Sequence, residues 1–283
     1  GRVRRPVIGV VVDDDVAVVH VAGEAAHEAL DVERQRADVH RRALALAQLA
    51  AFRVEDPAPT AGQQTTIDGF ELSGWAQAVV RNTYYSQSFA LTNNFIHDNH
   101  CDQPDQIGAG FSLDNVSGEI RGNVIVGNTC ARGGGGALND SLNENSVEIL
   151  QNRIEANRGD EPGISHGGGL YLFAHSLRVE ANLVTRNEAT GWGGGIYVGA
   201  NRGGGQDTTA HLRFNVYLEN KAGGAGGGFF CDNGATCNAT NEVYDRNCGG
   251  NILLDGGDRE FYSSAIIMRR GLFVSGFQGQ ALE

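Results

Sequence analysis

The densest concentration of groups able to move a proton is His97-Asp98-Asn99-His100-Cys101-Asp102-Gln103-Pro104-Asp105. An imidazole beside a carboxylate can relay a proton, so His97, Asp98, His100, Asp102 and Asp105 are the candidate acid–base residues. A solvated turn pinned at Cys101 would have the same composition, and the turn is the preferred reading. A second set emerges when the chain's glycine clusters are superimposed. Four positions past the last glycine stand Asp114, Asp140 and Asp232, and Asp255 follows Gly250 by five. Stacked carboxylates would bind Ca²⁺ or raise one another's pKa. Aspartate is also a common strand-ending turn residue, and that reading is again preferred. No cofactor is required by the sequence, and Ca²⁺ is the one cation these aspartates would accommodate.

The same superposition gives an outward column two positions past the last glycine: Leu138, Tyr171, Tyr197 and Phe230, with Leu253, three past Gly250, in the next repeat. Their neighbours Leu170, Leu172, Ile196, Val198 and Phe229 are expected to point inward. Exposed rings on a flat sheet near Trp192 would stack on sugars, so Tyr171, Tyr197, Phe230 and Trp192 are the candidate carbohydrate-binding residues. The competing reading is a sheet face covered by a loop or by the N-terminal segment. The glycine runs are not phosphate loops, because no Gly-Lys-Ser/Thr follows them and they recur in every repeat. Gly203-Gly-Gly-Gln-Asp207 is only a fragment of the calcium-binding nonapeptide pattern.

What must position these residues is a repeat. Asn94-Phe-Ile-His-Asp-Asn99 returns as Asn123 to Asn128, Asn152 to Asn157, Asn182 to Asn187 and Asn215 to Asn220, and fades into Glu242-Val-Tyr-Asp-Arg-Asn247. The first Asn recurs after 29, 29, 30 and 33 residues. Such a period marks a solenoid, whose units bury their apolar faces against one another. Each period also carries a glycine cluster before an alternating run (Gly167 to Gly169 before Leu170-Tyr-Leu) and a second alternating run such as Ser176-Leu-Arg-Val-Glu. Alternation with a period of two means strands, and three strands per period leave no room for a crossover helix. The prediction is all-β: a single-stranded parallel β-helix with glycine at tight corners and asparagine stacked on its own copies as a ladder.

The spacing makes a specific prediction for cysteine. Cys101 follows Asn99 by two residues and Cys130 follows Asn128 by two. Equivalent positions in adjacent coils lie about 5 Å apart, so Cys101–Cys130 is the expected rung-to-rung disulfide. One pairing is expected among Cys231, Cys237 and Cys248, leaving a free thiol.

The pattern Asn-φ-φ-x-x-Asn-x-Ala-x-x-x-Gly-Gly-Gly-φ, where φ is an apolar residue, is clearest in Asn182 to Ile196 and Asn215 to Phe229. It resembles secreted right-handed β-helix repeat proteins. It is also similar to polymorphic outer-membrane and autotransporter passenger proteins, and its coil resembles the pectate-lyase-like superfamily. The resemblance covers roughly residues 65 to 255 and implies right-handed coiling, which agrees with the usual crossover rule. Together with the matched cysteines, it implies an oxidising, extracellular or cell-surface setting. It carries no catalytic set across. Of the polygalacturonase motifs only Ser165-His166-Gly167 is an echo, and the Trp-x-Asp-His and paired-arginine motifs of pectate lyases are missing. The scaffold hosts many activities, so fold alone does not select one.

By composition, residues 1–61 stand apart as an N-terminal segment of helical or irregular structure, either a cap for the solenoid or not its natural partner. Residues 62–283 form the β-helix. The chain opens on Gly1, so a fragment or processed product is expected. A net charge of −12 argues against nucleic acid and anionic membranes as partners, and no run is long enough to span a membrane. The expected protein is a monomeric, secreted or surface β-helix that binds glycan or serves adhesion and display. The alternatives are a polysaccharide lyase or glycoside hydrolase acting on an acidic polysaccharide, and a structural passenger or stalk.

Overall fold

The computed structural model describes residues 8–13, 16–21, 52–54, 64–76, 78, 80–82, 87–103, 106–140, 145–161, 165–200, 208–232, 234–250, 252–254 and 267–269. Within them the chain winds as a parallel β-solenoid, and each coil passes through up to four short strands. Sheet 1 has eight strands, from Phe52–Val54 through Phe111–Asp114, Gly136–Asn139, Leu170–Phe173, Ile196–Val198 and Phe229–Cys231 to Ile252–Leu254. Sheet 2 has seven, from Gln64–Asp68 to Thr236–Thr240. Sheet 3 has eight, from Glu71–Ser73 to Ile267–Arg269, and sheet 4 has four two-residue strands beginning at Thr129–Cys130. Every neighbour in these four sheets pairs in parallel; examples are Val184 with Ile154 and with Tyr217. No helix occurs among the described residues.

The interior follows from alternation. In sheet 3 the middle residue of the seven triplets from Glu71–Ser73 to Val243–Asp245 points inward and is buried: Leu72, Ile96, Ile125, Ile154, Val184, Tyr217 and Tyr244. These side chains join Leu170, Leu172, Ile196, Val198 and Phe229 of sheet 1, and Leu177, Val179 and Leu212 of sheet 2, in one continuous core. Since each coil contributes only a few apolar residues, the core exists only when coils stack.

The turns entering and leaving sheet 3 contain the asparagines, as two ladders. Asn94, Asn123, Asn152, Asn182 and Asn215 form one; Asn99, Asn128, Asn157, Asn187, Asn220 and Asn247 form the other. Asn152 is typical. Its backbone N and Nδ2 donate to Asn182 Oδ1 at 2.9 and 3.0 Å, and Nδ2 also donates to the Ile120 carbonyl at 2.8 Å. Its own Oδ1 accepts from Asn123 N and Nδ2, so the buried amide is satisfied on both atoms. The left-handed backbone belongs not to the ladder Asn but to the residue before it: Gln151 (φ 57°), Ala181 (φ 57°), Arg186 (φ 55°), Phe214 (φ 57°).

The glycine clusters have a different reason. Gly193 takes φ 65° at the corner, and a Cβ on Gly194 would strike the Lys221 carbonyl of the next coil. The first full cluster has a fourth glycine, Gly136, and that shifts the alignment. Gly136 pairs with Leu170, Ala137 with Tyr171 and Leu138 with Leu172. Leu138 is therefore a core residue and not a member of the outward column, while Gly136 leaves the space that the Phe111 ring fills.

Residues 8–13 and 16–21 pair as an antiparallel hairpin, where the sequence suggested helical or irregular structure. Residues 22–51 and 55–63 lie outside the described residues. The strand Phe52–Val54 pairs in parallel with Val80–Asn82, which carries the stack upstream of residue 62. Among the described residues no helix is long and apolar enough to cross a membrane.

Candidate functional site

Sheet 1 bears the aromatic face. Tyr171, Tyr197 and Phe230 occupy one register column on its outer side, because the inward positions of the same strands carry Leu170, Leu172, Ile196, Val198 and Phe229. A second column lies at the preceding corner, where His166 and Trp192 pair in adjacent coils, each just before a left-handed glycine (Gly167, φ 67°; Gly193, φ 65°). The two columns interlock. Tyr171 and Tyr197 stack at 5.3 Å, and Tyr197 and Phe230 at 5.3 Å with planes 5° apart. His166 stacks on Trp192 at 4.7 Å and 1°, and Trp192 on Phe230 at 5.3 Å and 7°. Distances and tilts of this kind are those of favourable ring pairs.

Exposure divides the column. Trp192 is 41% exposed and Tyr171 is half-buried, whereas Tyr197 and Phe230 are buried at 3% and 1%. The expectation of an open column of rings thus holds at Trp192, in part at Tyr171, and not at Tyr197 or Phe230. Coils about 4.8 Å apart place equivalent rings face to face, so the inner rings cover one another. Tyr197 is fixed further by its hydroxyl, which donates to Asp232 Oδ2 at 2.6 Å. Tyr197 and Phe230 consequently act as the floor that orients Trp192 and His166.

His166 was visible in the sequence only within Ser165-His166-Gly167, and its membership of the ring face was missed. Its place becomes apparent once Arg132, His166 and Trp192 are aligned as the residues before Gly133, Gly167 and Gly193. Burial and then the nearby Arg132 guanidinium push its pKa below the ordinary 6.5. Arg132 itself is engaged with Glu161 at 3.2 Å. The platform is therefore neutral aromatic surface beside a neutralised ion pair.

The acid–base candidates separate into two pairs. His97, at the end of a sheet 3 strand, holds Asp98 through Nδ1 at 2.8 Å and Glu71 through Nε2 at 3.4 Å, with the Phe95 ring stacked on it at 4.1 Å. The hydrogen bond to Asp98 raises its pKa, and burial opposes this only in part. With both nitrogens facing carboxylates, this imidazole serves as a brace and not as a free base. His100, which bridges Thr129 of sheet 4, holds Asp102 at 3.0 Å in an exposed pair. Asp105 lies outside the described residues.

The aspartates do not form a column. Asp114 registers with Asn139, and Asn139 with Phe173, so an amide and a ring stand where carboxylates would have to follow. Asp140 falls one position later, again because of the fourth glycine. It is buried and accepts from Asn145 N at 3.0 Å, Asn145 Nδ2 at 2.9 Å and His175 N at 3.3 Å, closing a corner. Asp232 anchors Tyr197, and Asp255 lies outside the described residues. Among the described residues no group of three or more His, Cys, Asp or Glu side chains is arranged to hold a metal ion.

The cysteines pair as Cys101–Cys130, with Cα atoms 4.8 Å apart across adjacent coils, and as Cys231–Cys237, at 6.5 Å. Cys248 is free and exposed. Compared with protein-family models, curated proteins and solved structures, the chain matches none.

Proposed function

We propose that this chain is a secreted or cell-surface β-solenoid that binds glycan on the outer face of sheet 1, with Trp192 as the principal contact and Tyr171 and His166 beside it. The observation that carries the reading is Trp192, an exposed indole held parallel to His166 and Phe230 on a rigid floor of strands. An aromatic already fixed in its bound orientation loses little conformational entropy when a sugar packs on it. Tyr197 and Phe230 contribute by holding that orientation. Two disulfide pairs support an oxidising, extracellular setting. Binding without chemistry is preferred because the His97 nitrogens are occupied and the aspartates do not converge. The repeat also remains similar to that of passenger and pectate-lyase-like proteins, which is an argument for display on a surface.

The test is retention of the folded protein on an array of neutral and acidic polysaccharides, with and without Ca²⁺, scored together with release of new chain ends. Retention without release is expected. Release of chain ends would replace this reading with that of a lyase or hydrolase. Absence of both signals would leave a stalk.

A further inference from the structure

The first ladder ends on a different side chain. Where the repeat calls for asparagine, Glu242 accepts from Asn215 N at 3.1 Å and from Asn215 Nδ2 at 3.2 Å through Oε1 and 3.3 Å through Oε2. Glu242 is fully buried. In every preceding rung the second side-chain atom is an amide nitrogen that donates to a backbone carbonyl: Asn94 to Ile67, Asn123 to Leu91, Asn152 to Ile120, Asn182 to Ile149, Asn215 to Val179. By the same register, which places Val179 beside Leu212, the equivalent carbonyl for Glu242 is that of Leu212. A carboxylate would set an anionic oxygen against that carbonyl; a carboxylic acid has the O–H to donate.

We propose that Glu242 serves as a protonated rung of the amide ladder, its O–H standing where each other rung places an amide N–H, and that loss of this proton to water unlocks the coil that carries it. The surroundings favour the neutral form. The inward residues of the neighbouring strands are Leu212, Phe229, disulfide-bonded Cys237 and Ala239, none of them ionisable. Sheet 3 contributes Tyr217, whose hydroxyl faces the carboxyl, and Tyr244, stacked on Tyr217 at 4.6 Å. Neither hydroxyl makes a hydrogen bond of ordinary geometry, and burial pushes both pKa values well above 10.0; among the described residues no ion pair to Glu242 holds it as a carboxylate. Burial raises the Glu242 pKa from 4.5 to about 8, against the opposing pull of Asn215 and Tyr217.

The sign follows. A raised folded-state pKa contributes stability that is complete below 4.5 and is lost as the pH rises through about 8. Opening of this coil should therefore become about tenfold easier per pH unit from about pH 5 to about pH 8 and then level off. The experiment is hydrogen exchange of the full chain, corrected for intrinsic rates. It follows the amides of Val243 and Cys248, which bond to the Asn215 and Asn220 carbonyls, against the Val216 amide one coil earlier. Protection of Val243 and Cys248 is expected to fall in that window while Val216 holds, and Glu242→Gln, which keeps a donor in place, is expected to remove the dependence. The same fall in Glu242→Gln would overturn the proposal. Should that variant not fold, difference infrared spectroscopy of the unaltered protein decides: a buried carboxylic-acid stretch lost near pH 8 supports it, and an ionised Glu242 at pH 6 overturns it.

Discussion

His166 is the side chain whose state sets the character of the aromatic face. Its pKa lies below 6.5 because burial and the Arg132 guanidinium disfavour the imidazolium. The neutral ring contributes stability that is present above pH 6.5 and lost as the pH falls through the lower folded value. In a Trp75→Phe background, emission from Trp192 should be quenched by the new charge on acidification, with a midpoint below pH 6.5; a midpoint at or above that value would contradict the packing described. Buried amides are the other residue-scale feature. Asn187→Ala would leave Asn157 N without its acceptor and Asn157 Nδ2 with only the Ile125 carbonyl, and would remove the bonds that Asn187 Nδ2 donates to Ile154 O and Asn220 Oδ1. The expected loss is roughly 3 kcal/mol in urea unfolding. The ladder was legible because asparagine recurs at a fixed interval, whereas Glu242 reads as decay of the motif until its carboxyl is found on the rung. The burial of Tyr197 and Phe230 was not legible, since alternation tells which side of a strand a ring takes and not what its neighbours cover.

Individual strands here are too short to stand alone, so the elements depend on their turns and cross-links. Left-handed turns precede the ladder asparagines even at Ala156 (φ 51°) and Phe214 (φ 57°), where a side chain carries some strain. Neighbouring coils hold these residues in place, and residue type alone does not reveal them. The disulfide was legible, because its two cysteines occupy the same place in successive repeats. Cys101–Cys130 closes a separation of 29 residues, and a Cys101→Ser/Cys130→Ser variant should lose about 3 kcal/mol in the same unfolding assay. No loss would mean that the bridge does not constrain the unfolded chain. One extra glycine defeated the column assignments. The cluster at Gly133 to Gly136 is one residue longer than its counterparts, so counting from its end moved Leu138 and Asp140 one place out of register.

At the scale of the whole molecule, stacked coils convert a short repeat into flat faces, and function depends on which face a ligand can use. Sheet 3 and its turns expose Phe95, Leu183 and Phe214, but among the described residues only the outer side of sheet 1 gathers rings into parallel stacks with an exposed indole at the corner. The solenoid was readable from a period in the sequence; the glycan face depends on the contact between two columns, one on a strand and one on a corner, that the repeat alone does not connect. The most direct measurement is a binding isotherm on the polysaccharide best retained by the array, comparing the unaltered protein with Trp192→Ala. The account predicts that affinity falls roughly tenfold or more while the unfolding midpoint stays within the small range of a surface change. Unchanged affinity in a folded Trp192→Ala protein would contradict it.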